Sequence, residues 1–78
     1  MHRVIYTTHA RKRMKQRLVT RRMVQLTLAA PDRPYSRGSL DDEEIAERRF
    51  GRRTIQVVFE EHKTGEVIII TVKARRGY

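Results

Sequence analysis

Arg53-Thr54-Ile55-Gln56-Val57-Val58-Phe59-Glu60-Glu61 decides the fold. Ile55, Val57 and Phe59 fall on one side of an extended chain and Thr54, Gln56 and Glu60 on the other, a period of two that marks a strand with a single core face. Before it, Glu44 to Phe50 reads as a second strand, joined by the two residues Gly51-Arg52. After it come the turn His62-Lys63-Thr64-Gly65 and a third strand from Val67 to Ala74. Both connections are short enough for antiparallel hairpins. On the third strand we assign Ile68, Ile70, Val72 and Ala74 to the core, leaving Ile69, Thr71, Lys73 and Arg75 on the open face.

A sheet with one apolar face needs a cover, and the first thirty residues supply it. Val4-Ile5-Tyr6 is a short β-branched and aromatic run ending at Thr7-Thr8, a good helix N-cap site. A first helix is expected from Thr8 to Arg17, with Ala10, Met14 and Leu18 on its apolar stripe and His9, Arg13 and Arg17 stacked beside them. Thr20 is the next N-cap, opening a helix over residues 21–30 whose apolar side carries Met23, Val24, Leu28 and Ala30. Pro31 ends it, and Pro31-Asp32-Arg33-Pro34 forms a turn. Tyr35-Ser36-Arg37 is a short extended piece, and Gly38 to Glu43 an acidic loop. The expected fold class is α+β in the order β-α-α-β-β-β, an antiparallel sheet of three to four strands with two helices on one face, all one domain over residues 1–78.

Composition bounds what such a domain does. The formal net charge is +9, and 14 of the 18 basic residues are Arg. Residues 1–37 hold ten Lys and Arg against Asp32 alone, whereas residues 38–78 hold eight basic and eight acidic residues. A basic end and a balanced end point to a polyanionic partner, and Arg suits bidentate phosphate contact better than Lys. A domain of 78 residues buries only about 60 to 65% of its unfolded surface. There is no cysteine, and His2, His9 and His62 lack metal-ligand spacing, so neither a disulfide framework nor a metal or other cofactor is expected. The longest apolar run, residues 67–70, is far short of a membrane span, and no signal-peptide core follows Met1. The expected location is cytoplasmic, with no membrane partner.

Cleaving RNA without a metal takes a base for the 2′-hydroxyl proton, an acid for the leaving 5′-oxygen and cations for the charge that builds on phosphorus. A histidine can both accept and donate a proton near neutral pH, which makes His9 the natural acid or base. Arg13, Arg17 and Arg53 are candidate transition-state cations, and Thr71 and Lys73 could position a phosphate or a ribose hydroxyl. Lys12, Arg17, Lys73 and Arg75 form the expected nucleic-acid contacts. The blander readings are a His9 that only caps or packs, and arginines that are only solvated. Asp41-Asp42-Glu43-Glu44 could bind magnesium, but serves more simply as an acidic loop offsetting the basic half. Tyr6, Tyr35 and Tyr78 are too few for a stacking platform.

His9-Ala10, Arg13-Met14, Arg17, Val24, Leu28, Pro31-Asp32 and the run from Val67 to Val72 resemble a widespread family of small prokaryotic proteins of unknown function. Its members open with a strand and a His-Ala-x-x-Arg-Met-x-x-Arg helix, and the likeness covers residues 3–74. That family looks related to the RelE and BrnT toxins of bacterial toxin-antitoxin systems, which share the barnase, colicin and RelE fold. The resemblance implies a RelE-like domain acting as a metal-independent endoribonuclease, free or on the ribosome, neutralised by an acidic antitoxin. It would place His9, Arg13, Arg17, Arg53 and Thr71 in the site. The chain departs from the RelE branch in having fewer basic strand residues and its only late tyrosine at Tyr78. Two other functions stay open, a non-catalytic basic module that binds nucleic acid and an adaptor that docks an acidic protein. A nuclease of the expected kind needs His9 within reach, directly or through a phosphate, of Arg53 or Thr71.

Overall fold

The computed structural model describes residues 3–38 and 42–76. The expected pieces Tyr78, His2 and residues 39–41 lie outside these. The chain forms β1 (Arg3–Tyr6), α1 (Thr8–Gln16), α2 (Arg21–Ala29), β2 (Ser36–Arg37), β3 (Glu44–Phe50), β4 (Arg53–Glu61) and β5 (Glu66–Arg76). The class is α+β as expected, but the sheet is larger. It has five strands in the order β1-β5-β4-β3-β2, and it is mixed. The central hairpins are antiparallel, whereas β1 lies parallel to β5, with Val4 beside Val67 and Tyr6 beside Ile69. The expected antiparallel sheet of three to four strands is corrected in both respects, because the β1–β5 pairing joins residues more than sixty positions apart and no turn dictates its direction.

Both helices start where hydroxyls cap them. Thr7 accepts a hydrogen bond from the Ala10 N–H at 3.1 Å, and Thr20 accepts one from Met23 at the same distance. Ala10 and Met14 bury α1 against β5, while Val24 and Thr27 bury α2 against β3 and β4. Thr27 tolerates full burial because its hydroxyl donates to the Met23 carbonyl at 2.8 Å. Two expected core positions face solvent instead. Leu18 is 78% exposed, and Ala30 is exposed past the end of α2.

The core lies between these helices and one face of the sheet, with Ile55, Val57, Phe59, Val67, Ile69 and Val72 at its centre. On β4 the expected face is the observed one. On β5 the assignment reverses halfway, because Phe59 pairs with Ile69 while the preceding Val58 pairs with Thr71. Ile70 is therefore the extra residue of a β-bulge, and a bulge shifts the period of two by one. Val67 and Ile69 face the core before it, Val72 and Ala74 after it. A single alternation through the whole strand had put Ile69 on the open face and Ile68 and Ile70 in the core.

Thr7 ties this irregularity to α1. Its hydroxyl donates toward the carbonyls of Ile69 at 2.9 Å and Ile70 at 3.2 Å while capping the helix. At the far edge, the Asp32 N–H bonds the Glu47 carbonyl and an Asp32 carboxylate oxygen accepts from the Arg49 N–H at 2.7 Å. The Pro31–Pro34 turn thus occupies the part of the β3 edge that the two-residue β2 leaves uncovered.

Candidate nucleic-acid interface

The residues expected to cooperate are distributed over two faces and two ends of the domain. His9 is exposed in the first turn of α1. Lys12 is exposed one turn on, and Arg13 is half-buried with its guanidinium donating to the Gln16 side chain at 3.3 Å. Arg53 lies on the helix side of β4, where it closes the C-terminus of α1. Its two terminal nitrogens donate to the Arg17 carbonyl at 2.5 Å and the Leu18 carbonyl at 3.0 Å. Those carbonyls come eight and nine residues after His9, the first about 12 Å along a helix at 1.5 Å per residue. Thr71 alternates with the buried Val72 and pairs with Val58, so it faces away from the helices. Arg53 is thus at the other end of α1 from His9, and Thr71 is on the other face of the sheet.

Arg48 does for α2 what Arg53 does for α1. It pairs with Ile55 on the helix side, and its guanidinium donates to the Ala30 carbonyl at 2.6 Å. Helix C-termini leave carbonyls unsatisfied and carry partial negative charge, so a guanidinium there answers both. Arg21 lies over the Tyr6 ring at 5.0 Å, a cation–π contact. Burial pushes the Tyr6 phenol above its ordinary pKa, and the charge on Arg21 acts in the opposite direction.

The open face of the sheet assembles a different group. Register places Glu47, Gln56 and Lys73 in one row across β3, β4 and β5, and Arg49, Thr54 and Arg75 in the next. Two strand spacings separate the ends of each row, about 10 Å of backbone. Glu47 is the hub. It accepts from the Gln56 amide at 2.7 Å and has the guanidinium groups of Arg33 at 3.5 Å and Arg75 at 3.9 Å. Both arginine side chains are more than two-thirds exposed, so these pairs leave them free to turn toward solvent at little cost. Lys73 and Arg75 were expected contacts. Glu47, Gln56 and Arg49 were missed, although the alternation of Glu47 with the buried Ala46 was there to place them.

Register also sorts charge along the strands. Arg49 and Arg52 at the β3–β4 hairpin, Arg75 and Arg76 at the end of β5, and Arg22 at the start of α2 are all exposed. At the opposite end, around the β4–β5 turn and the start of β3, are Asp42, Glu43, Glu44, Glu60, Glu61 and Glu66. The second half of the sequence is neutral in sum, but in three dimensions most of its charges separate; Lys63 stays with the carboxylates, as do Arg3 and Arg37 of the first half, and Glu47 stays beside Arg75.

Among the described residues no three His, Cys, Asp or Glu side chains converge in a way that could hold a metal ion, and no helix is long and apolar enough to cross a membrane. A model of a protein family described as a domain of unknown function, DUF4258, matches residues 6–73. No curated protein and no solved structure matches the chain.

Proposed function

Since the chain belongs to the DUF4258 family, whose description names no activity, the function has to be argued from the site, and we propose an RNA-binding domain that holds phosphates at its arginine end. The observation that carries this reading is the exposed cluster of Arg22, Arg49, Arg52, Arg75 and Arg76, at the end of the sheet opposite Asp42, Glu43, Glu44, Glu60, Glu61 and Glu66, with Glu47 and Asp32 the carboxylates beside it. The first turn of α2 adds to it. That turn contains Arg21 and Arg22 and no acidic residue, which opposes the helix dipole by about 0.3–1 kcal/mol per charge. A phosphate at this end relieves the repulsion, so the bound state gains what the free state lacks.

The test is affinity for a mixed-sequence single-stranded RNA as a function of salt. Release of counterions contributes a slope of about −0.7 per neutralised phosphate, so five contacts give a log–log slope of roughly −3.5. Absence of binding at near-physiological salt refutes the proposal and returns the adaptor reading.

The row of Glu47, Gln56 and Lys73 favours a second reading, a metal-independent endoribonuclease of the RelE or BrnT toxin type on the open face. Glu47 would take the 2′-hydroxyl proton, Lys73 would donate one to the leaving 5′-oxygen, and Arg75 would stabilise the charge between them. An acidic antitoxin would be drawn to the same arginines. Purified protein, with EDTA present and with and without ribosomes, separates the cases. Cleavage lost in Glu47→Gln but kept in His9→Ala places the chemistry on the sheet; the converse places it on α1. Binding without cleavage in every condition leaves a non-catalytic module.

A further inference from the structure

Leu18 has φ +55°, the one positive φ outside glycine among the described residues, and it is 78% exposed. It sits just past the end of α1, where the chain reverses and Val19 returns to the core with its N–H on the Met14 carbonyl at 2.8 Å. Glycine is the usual residue there, because a side chain at positive φ crowds the backbone. This sequence carries instead a leucine that is strained and buries almost nothing. The corner is held on both sides, by the Arg53 fork on the Arg17 and Leu18 carbonyls and by the Thr20 cap on α2. Lys15, Arg21 and Arg22 flank it in the chain, and Arg52 adjoins the arginine that grips it. An exposed apolar side chain on a corner whose backbone is held, with cations a few residues away in the chain, is suited to a ligand that is anionic at its edges and flat and apolar between them.

We propose that Leu18 is a wedge that packs against an unpaired base of single-stranded RNA while the neighbouring cations hold the phosphates on either side. This rests on the RNA-binding reading and names the form of RNA that the corner takes. A paired base offers its face only to its stacking neighbours, whereas a loop or single strand leaves that face free. Apolar side chains including leucine also enter base stacks in duplexes, but there they must first unstack a step.

Leu18→Gly separates the wedge from the fold, because glycine relieves the positive φ and removes an exposed apolar group. The variant is expected to melt at or above the wild-type temperature, yet to bind a 12-nucleotide single strand about tenfold more weakly with an unchanged salt slope. A 12-nucleotide abasic strand and a blunt 12-base-pair RNA duplex should bind both proteins equally. The inference is overturned if both proteins bind the single strand equally well, if the loss is the same on the abasic strand, or if the variant is destabilised. It is also overturned if the substitution affects only binding to vesicles of anionic phospholipid. Failure of the wild-type protein to bind any of the RNAs would instead overturn the RNA-binding reading, and this inference with it.

Discussion

Arg53 illustrates how a residue's chemistry is decided by what lies within its reach. As a strand arginine it was a candidate for the transition state, but its guanidinium is occupied by two helix-end carbonyls. Arg53→Ala should therefore cost about 1.5–3 kcal/mol, the range for hydrogen bonds involving a charged group, whereas exposed Arg52→Ala should stay within about 0.5 kcal/mol; urea unfolding of the two variants checks this. Tyr35 makes a comparable contact, donating to the Leu28 carbonyl at 2.5 Å and meeting the Phe59 ring edge-on. Burial, reinforced by the Glu61 and Glu44 carboxylates, raises its phenol pKa above the ordinary 10.0. The unfolded chain then loses that proton first, so the contribution is complete below pH 10 and declines as pH rises through the higher folded value. Tyr35→Phe should be less stable than wild type at pH 7, and the difference should shrink as pH is raised beyond 10; thermal unfolding at both pH values measures it.

Elements were the most legible scale. The bounds of β3 and β4, the two N-caps and the two-residue hairpin were readable because each depends on local chemistry, namely alternation, a hydroxyl before a helix, or glycine at a turn. Gly51 takes φ +63°, as its hairpin requires. The bulge at Ile70 was not readable, since nothing in Val67-Ile68-Ile69-Ile70 distinguishes one β-branched residue from the next. It exists because Thr7 and the core on either side demand it. If so, Ile69→Ala, at a fully buried site, should lose about 2–5 kcal/mol, and Ile70→Ala, half-buried on the bulge, less than half of that. Equal losses in chemical denaturation would mean that the bulge does not set the faces.

The whole molecule is polarised by its topology. Sequence halves suggested a basic end and a balanced end, whereas strand direction brings the arginines of three elements to one end and six carboxylates to the other. Changing charge at the two ends should consequently have unequal effects. Arg75→Glu with Arg76→Glu should lower RNA affinity at least tenfold and flatten the salt dependence, while Glu60→Gln should leave both nearly unchanged. Filter binding over a salt series reads both. Of the candidate site, the positive charge and the residues Lys73 and Arg75 were legible, but the grouping was not. The length of α1 separates His9 from Arg53, and the pleat of β5 turns Thr71 to the face away from the helices.

The sequence by itself determined the α+β class, the helices and their caps, the hairpins, and the surplus of arginine, because all of these follow from composition and from neighbours a few residues apart. Only the tertiary structure decided the parallel β1–β5 pairing, the switch of faces at Ile70, the use of Arg48 and Arg53 as helix caps, and the exposure of Leu18. Each of these depends on contacts between segments distant in the chain, where the energy of packing the core overrides what the local pattern would choose.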